Sequence, residues 1–156
     1  MKTIIAFFVV ILTSCAVPTY QIPADYAGPK AKILNSGGHS ELFNVYKVDG
    51  LHNNTTCPSG RPFNNYSMVP LSECYNEIAA RKTTVTIWGR ENYVSDGAAL
   101  FDIVSGGQCK SVSGDVELNA TPGGVYIVRG QLGRTSSSVW IEEANTGKIV
   151  TRKITQ

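Results

Sequence analysis

The chain has 156 residues, of which 42% are hydrophobic and 17% are charged, and its formal net charge is +2. This length suffices for one modest hydrophobic core, so a single domain is expected. The nearly balanced charge argues against a nucleic-acid-binding protein, which usually carries a clustered basic excess. The 15 glycines and 7 prolines fit neither a collagen nor a disordered chain and indicate a fold rich in turns.

The N-terminal segment predicts export from the cytoplasm. Lys2 supplies a positive charge, and Thr3 to Leu12 (TIIAFFVVIL) form an apolar run without a charged residue. A short basic start, an apolar stretch of about ten residues and small residues after it are typical of a secretory signal. The run is too short to span a bilayer, which needs about twenty apolar residues.

The end of this segment, Leu12-Thr13-Ser14-Cys15, resembles the bacterial lipoprotein signal, in which a branched apolar residue and two small residues precede a cysteine. The resemblance implies that residues 1–14 are a signal peptide and that the Cys15 thiol receives diacylglycerol, with further fatty acylation such as palmitate. Ala16 in place of Asp after the cysteine implies delivery to the outer membrane. An ordinary secretory signal with an incidental cysteine is the alternative.

The next segment predicts a tether. Residues 16–29 (AVPTYQIPADYAGP) contain three prolines and little periodicity, as expected of a linker that lifts a domain off a membrane. The sequence therefore divides into a lipidated N-terminus and tether over residues 15–29 and a folded domain over residues 30–156.

From Lys30 onward, short β-branched or alternating segments separated by turn residues predict strands. Asp49-Gly50 predicts a tight hairpin because both of its turn positions need a positive φ. The predicted strands are Ala31–Leu34, Glu41–Val48, Leu51–Thr56, Tyr75–Ile78 (an edge strand), Thr83–Trp88, Ser111–Leu118, Val125–Leu132, Ser138–Glu142 and Lys148–Arg152.

Two stretches are less regular. Residues 52–70 predict a long loop or a broken edge strand, and residues 92–108 fit a helical turn or a strand equally. The last four predicted strands, joined by tight turns, predict an antiparallel meander. No stretch has sustained helical spacing, so the expected fold is all-β: a small antiparallel β-sandwich, immunoglobulin-like or related, with few or no helices.

The remaining cysteines are Cys57, Cys74 and Cys109, an odd number, and an oxidising envelope permits disulfides. A Cys57–Cys74 bridge would close the irregular loop and is the preferred pairing. It would stabilise the fold by about 3 kcal/mol because it lowers the entropy of the unfolded chain. Pairings of either residue with Cys109 remain open because spacing cannot choose between them. No CxxC or HxxxH spacing is present, so no zinc or other metal site is expected.

The search for catalytic groups finds little. His39 and His52 flank the predicted hairpin, and a metal site there would need Glu41 or Asp49 as a third ligand; two solvated turn residues are the simpler interpretation. Glu142 and Glu143 cannot act on one bond, because adjacent strand residues point to opposite faces. No nucleophile elbow, Walker loop or HExxH motif occurs, so no enzyme and no cofactor are predicted.

Trp88 and Trp140 lie opposite the aliphatic faces of their predicted strands. If exposed, they would indicate a contact site for a sugar or a protein. Burial in the core is the favoured interpretation, and the same holds in part for Tyr66, Tyr75 and Tyr93.

The C-terminal third carries a second resemblance. Val112-Ser113-Gly114-Asp115-Val116, the Pro122–Gly130 segment and Ser138–Glu142, after the tether Ala24–Pro29, are similar to a group of small bacterial envelope lipoproteins, although Glu143 stands where that group often has Asp. The resemblance implies a β-sandwich and no particular activity.

The sequence thus predicts a lipid-anchored protein of the bacterial outer membrane that faces the periplasm and has a binding or scaffolding role. Its expected partners are the membrane, through Cys15, and another envelope protein or peptidoglycan, but no nucleic acid. One alternative is an inhibitor of a hydrolase such as lysozyme that inserts residues 52–70. A second is a hydrolase with a site near His39 and His52.

Overall fold

The computed structural model describes residues 17–37, 41–56, 74–91 and 110–156, and within these ranges the chain forms β-strands and no helix. The strands are β1 (Lys30–Leu34), β2 (Ser36–Gly37), β3 (Glu41–Val48), β4 (Leu51–His52), β5 (Tyr75–Ala79), β6 (Lys82–Glu91), β7 (Ser111–Asn119), β8 (Val125–Leu132), β9 (Ser137–Glu143) and β10 (Ile154–Thr155).

The strands form two sheets that pack face to face. The front sheet has the order β2-β3-β6-β7, with β4 also paired to β3, and the back sheet has the order β10-β9-β8-β1-β5. Among the described strands, all pairs are antiparallel except β1 with β8, which run parallel. The predicted all-β sandwich is therefore confirmed, and so is the edge position of the strand that begins at Tyr75.

The core lies between the two sheets and is made by alternate residues of each strand. In β6, Val85 and Ile87 are fully buried, whereas Thr86 between them is only partly buried. Burying one such side chain contributes about 1.5–3 kcal/mol. The other aliphatic side chains that are almost completely buried are Ile33, Val45, Val48, Ile78, Val112, Val116, Leu118, Val128, Val139 and Ile141.

One aromatic ring packs against glycines of both sheets. A Cβ added at Gly89 of the front sheet would lie 2.6 Å from Cδ1 of Phe43, and one added at Gly130 of the back sheet would also meet the Phe43 ring. The ring is itself buried. Small residues at these two positions therefore allow the ring to fill the space between the sheets.

The predicted hairpin is confirmed. Asp49 and Gly50 have φ values of 48° and 80°, as a two-residue turn of this kind requires. The return strand is shorter than predicted, because β4 ends at His52 and the chain next pairs only through an isolated bridge between Thr56 and Tyr75.

A β-bulge interrupts β3 between Val45 and Lys47. The Val45 backbone N–H donates to Oδ1 of Asn35 at 3.1 Å, and its carbonyl accepts from Nδ2 of Asn53 at 2.7 Å. Two asparagine side chains thus bond the backbone of this strand at the bulge, and the extra residue there, Tyr46, is exposed.

The predicted C-terminal meander is confirmed only in part: β8 and β9 pair in antiparallel fashion as expected, but β7 does not join them. Strand β7 pairs with β6 in the front sheet, whereas β8 pairs with β1 and β9 in the back sheet. The turn Thr121-Pro122-Gly123-Gly124 therefore crosses from one sheet to the other. Alternation along a strand shows which face is buried, but it does not show which neighbour the strand will pair with.

The last predicted strand is also misplaced. Residues 148–152 touch β9 through a bridge between Glu142 and Ile149, and the Ile141 N–H donates to the Thr151 hydroxyl at 3.0 Å. Because the hydrogen bond from Ile141 goes to a side-chain hydroxyl and not to a backbone carbonyl, the regular backbone pairing with β9 stops here. It resumes only at Ile154–Thr155, which forms β10.

The N-terminal segment joins the edge of the front sheet. The His52 N–H donates to the Pro18 carbonyl at 3.3 Å, and the Tyr20 N–H donates to the His52 carbonyl at 2.6 Å. Tyr20 belongs to the buried core, and its hydroxyl accepts from the Ala79 N–H at 3.4 Å. Part of residues 15–29, the segment predicted as a tether, therefore packs against the domain.

Candidate functional site

Several residues singled out in the sequence lie outside the described residues, namely Cys15, His39, Cys57, Tyr66, Tyr93 and Cys109. Cys74 is described, and it is buried and disulfide-bonded. Its partner is outside the described ranges, so the pairing with Cys57 stays a prediction, as does the lipid on Cys15.

His52 is held at the edge of the front sheet. Its ring lies edge-on to the Tyr46 ring, with centroids 5.0 Å apart and planes at 86°. Asp49 forms an ion pair with Arg81 at 3.0 Å and accepts a hydrogen bond from the Thr84 N–H at 3.1 Å. Glu41 lies at the start of β3, at the end of the strand remote from the hairpin. Among residues 17–37, 41–56, 74–91 and 110–156, no group of three metal-ligating side chains comes together.

The adjacent carboxylates of β9 have separate partners. Glu142 accepts from Nε of Arg129 and from Nε1 of Trp140, each at 3.2 Å. Glu143 accepts from the Thr146 hydroxyl at 2.6 Å, within the turn that follows the strand. The two side chains thus serve local structure, one on the sheet face and one in a turn.

Both tryptophans lie on outward faces and are only partly buried, so their interpretation as core residues is wrong. Trp88 is the strand partner of Asn44 and alternates with buried Ile87, and Trp140 pairs with exposed Arg129. A sheet buries one face of each strand, and the aliphatic residues occupy that face here.

The aromatic rings on the outward faces of the sheets lie next to cationic side chains. Four rings have a cationic group over them, at the 4–6 Å that cation–π contacts require. The pairs are Tyr75 with Lys32 at 4.5 Å, Tyr46 with Lys47 at 5.5 Å, Trp88 with Arg90 at 4.7 Å and Trp140 with Lys153 at 4.3 Å.

The outward side of the back sheet carries two of these pairs, and we call it the back face. Trp140 of β9 and Tyr75 of β5 are separated by three strand spacings, or about 14 Å across the sheet. Leu34 and Ile127 lie between them on adjacent strands. The back face thus has an aromatic ring toward each side of a central Ile127 that is only 7% exposed.

The charges of the back face are unevenly paired. Lys30 bonds Glu77 at 2.9 Å, and Arg129 bonds Glu142 at 3.2 Å. Lys32 and Lys153 form no ion pair within the part of the chain that the structure describes. The two lysines with unneutralised charge are therefore the ones over the aromatic rings.

The outward side of the front sheet, which we call the front face, holds Trp88, Tyr46 and their cations. Asn44 also points to this side and is 2% exposed, and neither of its side-chain polar atoms has a hydrogen-bond partner among the described residues. Leaving such a group unsatisfied costs about 1–3 kcal/mol.

Sequence reasoning missed the aromatic–cation pairs of the back face. Lys32 and Tyr75 are far apart along the chain and meet only because β1 pairs with β5. Lys153 reaches Trp140 because β10 pairs with β9. The only early signal was the position of each tryptophan opposite the aliphatic residues of its strand.

The chain matches no known protein-family model, no curated protein and no solved structure. The described ranges contain no helix that is long and apolar enough to cross a membrane.

Proposed function

We propose that the protein is a lipid-anchored, periplasm-facing protein of the bacterial outer membrane with a binding role and no catalytic step. Its ligand is an acidic glycan, with peptidoglycan as the expected one, and the back face is the surface that binds it. The observation that carries this proposal is the pair of outward aromatic rings, Trp140 and Tyr75, each beneath a lysine without a carboxylate partner.

The chemistry of these groups fits such a ligand. An aromatic ring offers a flat apolar surface on which the C–H face of a sugar ring packs, and its polar edge stays hydrated. A lysine beside the ring offers three donors to a carboxylate. The spacing of about 14 Å between the two strands calls for an extended ligand of several sugar or peptide units.

The lipid anchor rests on the resemblance at Cys15. Replacement Cys15→Ser is expected to move the protein from the membrane fraction to the soluble periplasmic fraction and to remove the acyl mass from the intact protein. A Cys15→Ser protein that stays in the membrane fraction, or a parent protein without acyl mass, would contradict the anchor.

The binding proposal is tested by co-sedimentation of the protein with purified peptidoglycan sacculi. The double variant Lys32→Ala with Lys153→Ala is expected to weaken binding about tenfold or more, since it removes two charge-assisted contacts. A matched control, Lys82→Ala with Lys148→Ala, removes the same charge elsewhere and should bind like the parent. Equal binding by both double variants would refute the role of the back face.

The two alternative functions, an inhibitor of a hydrolase such as lysozyme and a hydrolase with a site near His39 and His52, remain predictions. Most of the loop that an inhibitor would insert, residues 57–70, lies outside the described residues, and so does His39 of the hydrolase hypothesis.

A further inference from the structure

The front sheet ends on one side at β7, whose outer edge carries a row of free backbone groups. All of Ser111–Asn119 pairs with β6 without a register shift. The Glu91 N–H donates to the Lys110 carbonyl, at the start of this pairing. The Ala120 N–H donates to the Arg81 carbonyl, at its end. Even-numbered residues therefore direct their backbone groups toward β6, and the residues between them direct theirs away from the sheet. These outward-directed residues are Ser111, Ser113, Asp115, Glu117 and Asn119.

This edge has little protection within the described residues. Nη2 of Arg152 donates to the Asp115 carbonyl at 3.0 Å, and because Arg152 is exposed, water already competes for this bond. The strand has no proline, lysine or bulge, three of the usual means by which proteins block an edge. Its outward side chains are exposed, unlike Leu42 and Asn44 of β3, which are buried on the same side of the sheet.

The other sheet edges are short or covered within the same ranges. Strands β2, β4 and β10 have two residues each. On β5, Tyr75 exchanges two backbone hydrogen bonds with Thr56, and the Ala79 N–H donates to the Tyr20 hydroxyl. Strand β7 is thus the one long edge that the described part of the chain leaves open.

The two carboxylates of β7 differ in their partners. Glu117 forms an ion pair with Lys82 at 2.8 Å. Asp115 accepts from the Thr86 hydroxyl at 2.6 Å and forms no ion pair with a described residue. The cation of Arg152 bonds the Asp115 carbonyl and is displaced when a strand is added. A cationic side chain directly opposite on an added strand would lie about 5 Å from Asp115, measured between Cβ atoms.

The inner side of the same edge is apolar. A Cβ added at Gly114 would lie 3.1 Å from both Cδ1 and Cγ2 of Ile154, so Ile154 of β10 packs over β7 from the back sheet. Ile154 is only partly buried and contacts the core. Because side chains alternate along a strand, every second residue of an added strand would lie beside Ile154 and extend the core.

We infer that β7 binds an extended segment of a partner protein by β-strand addition. The segment has a Lys or Arg opposite Asp115 and apolar residues at its inward positions. In this mode of recognition, main-chain hydrogen bonds supply the affinity and alternate side chains supply the specificity. The surface is the edge of the front sheet, so it is separate from the glycan-binding back face, and neither proposal depends on the other.

The test uses two synthetic peptides of the same length as β7. Both alternate Thr and Val, with Thr at the ends, and the central residue is Lys in one and Glu in the other. Amide hydrogen exchange is followed by NMR on the protein isolated in detergent micelles. In the free protein, the N–H groups of Ser113, Asp115 and Glu117 should exchange faster than those of Val112 and Val116, which bond β6. The Lys peptide is expected to slow the first group about tenfold or more.

Variants test the edge and the charge separately. Ser113→Pro removes a donor from the open edge but no bond to β6, so the strand should be retained and peptide binding should be lost. Glu77→Pro is the matched control, because the Glu77 N–H faces away from β1 at the edge of the back sheet. It should bind the peptide like the parent. Far-ultraviolet circular dichroism confirms that both variants are folded.

A charge exchange keeps the test independent of the proline variants. The parent should bind the Lys peptide about fivefold or more tightly than the Glu peptide, since opposite charges attract and like charges repel at directly opposed positions. Asp115→Lys should reverse this preference.

Three results would overturn the inference. The first is that neither peptide slows exchange at the β7 edge. The second is that the parent and Asp115→Lys show the same preference between the peptides. The third is that these edge amides are already protected in the free protein and sedimentation shows a dimer that Ser113→Pro dissociates, since the occupant would then be a second copy of the chain.

Discussion

The contact between Phe43 and Gly89 predicts that the substitution Gly89→Ala destabilises the parent protein but not a variant that lacks the Phe43 ring. Replacing Gly89 by Ala places a Cβ 2.6 Å and 2.8 Å from two ring carbons of Phe43, whereas carbon atoms normally pack at about 3.5–4.0 Å. Gly89 is not among the residues with a positive φ, so the backbone accepts Ala. The ring alone opposes the substitution, and it must move by about 1 Å.

The expected magnitudes follow from these distances. Overpacking of this kind costs about 1–3 kcal/mol, and Ala recovers about 0.5–1 kcal/mol of the free energy that Gly loses within a strand. We therefore expect Gly89→Ala to destabilise the protein by about 1–2 kcal/mol. Phe43→Ala should cost about 3–5 kcal/mol by leaving a cavity, but in that background Gly89→Ala should be neutral or stabilising by up to about 1 kcal/mol.

Gly130 provides the internal comparison. A Cβ there would meet the Phe43 ring and would also lie 2.6 Å from the backbone carbonyl oxygen of Ser138. Removing the ring relieves only the first of these contacts. Gly130→Ala should therefore remain destabilising in the Phe43→Ala background, unlike Gly89→Ala.

The assay is urea unfolding of the oxidised Cys15→Ser chain without its signal peptide, followed by circular dichroism, with the free energy of unfolding taken from linear extrapolation. The double-mutant cycle isolates the coupling between the two positions. If Gly89→Ala cost the same free energy with and without the Phe43 ring, the packing of that ring against the front sheet would be refuted.

Three smaller predictions use the same assay or mass spectrometry. Gly123 has a φ of 69° with open space around a Cβ, so Gly123→Ala should cost about 1–2 kcal/mol from backbone strain alone, and a neutral result would contradict the left-handed turn. The Lys82–Glu117 pair is exposed at 64% and 66%, so Lys82→Ala should change stability by less than about 1 kcal/mol, and a larger loss would mean that the pair is not solvated. A non-reduced peptide map should link Cys74 to Cys57, and a link to Cys109 would overturn that pairing.

Much of the strand content was predictable. The segments that begin at Glu41, Ser111 and Val125 alternate or carry β-branched residues, and the structure has strands there. The turn at Asp49-Gly50 was predictable because so few residue pairs tolerate two positive φ values. These features depend on neighbours along the chain.

The pairing of the strands was less accessible. The sequence suggested that the strands on either side of Gly123-Gly124 pair with each other, yet that turn carries the chain between sheets. The parallel pairing of β1 with β8 had no local signal either. A strand's partner is chosen by the apolar surface that the whole sandwich buries, and this sum includes residues distant in sequence.

The same division applies to the surfaces proposed to function. The sequence by itself determined that the protein is all-β, with its aliphatic residues on one side of each strand and Trp88 and Trp140 on the other, because the period of two is a property of the extended backbone. Only the tertiary structure decided that Lys32 lies over Tyr75 and Lys153 over Trp140. It also decided that Tyr20 anchors the chain in the core, since such contacts form only when distant segments pack together to bury a common apolar surface.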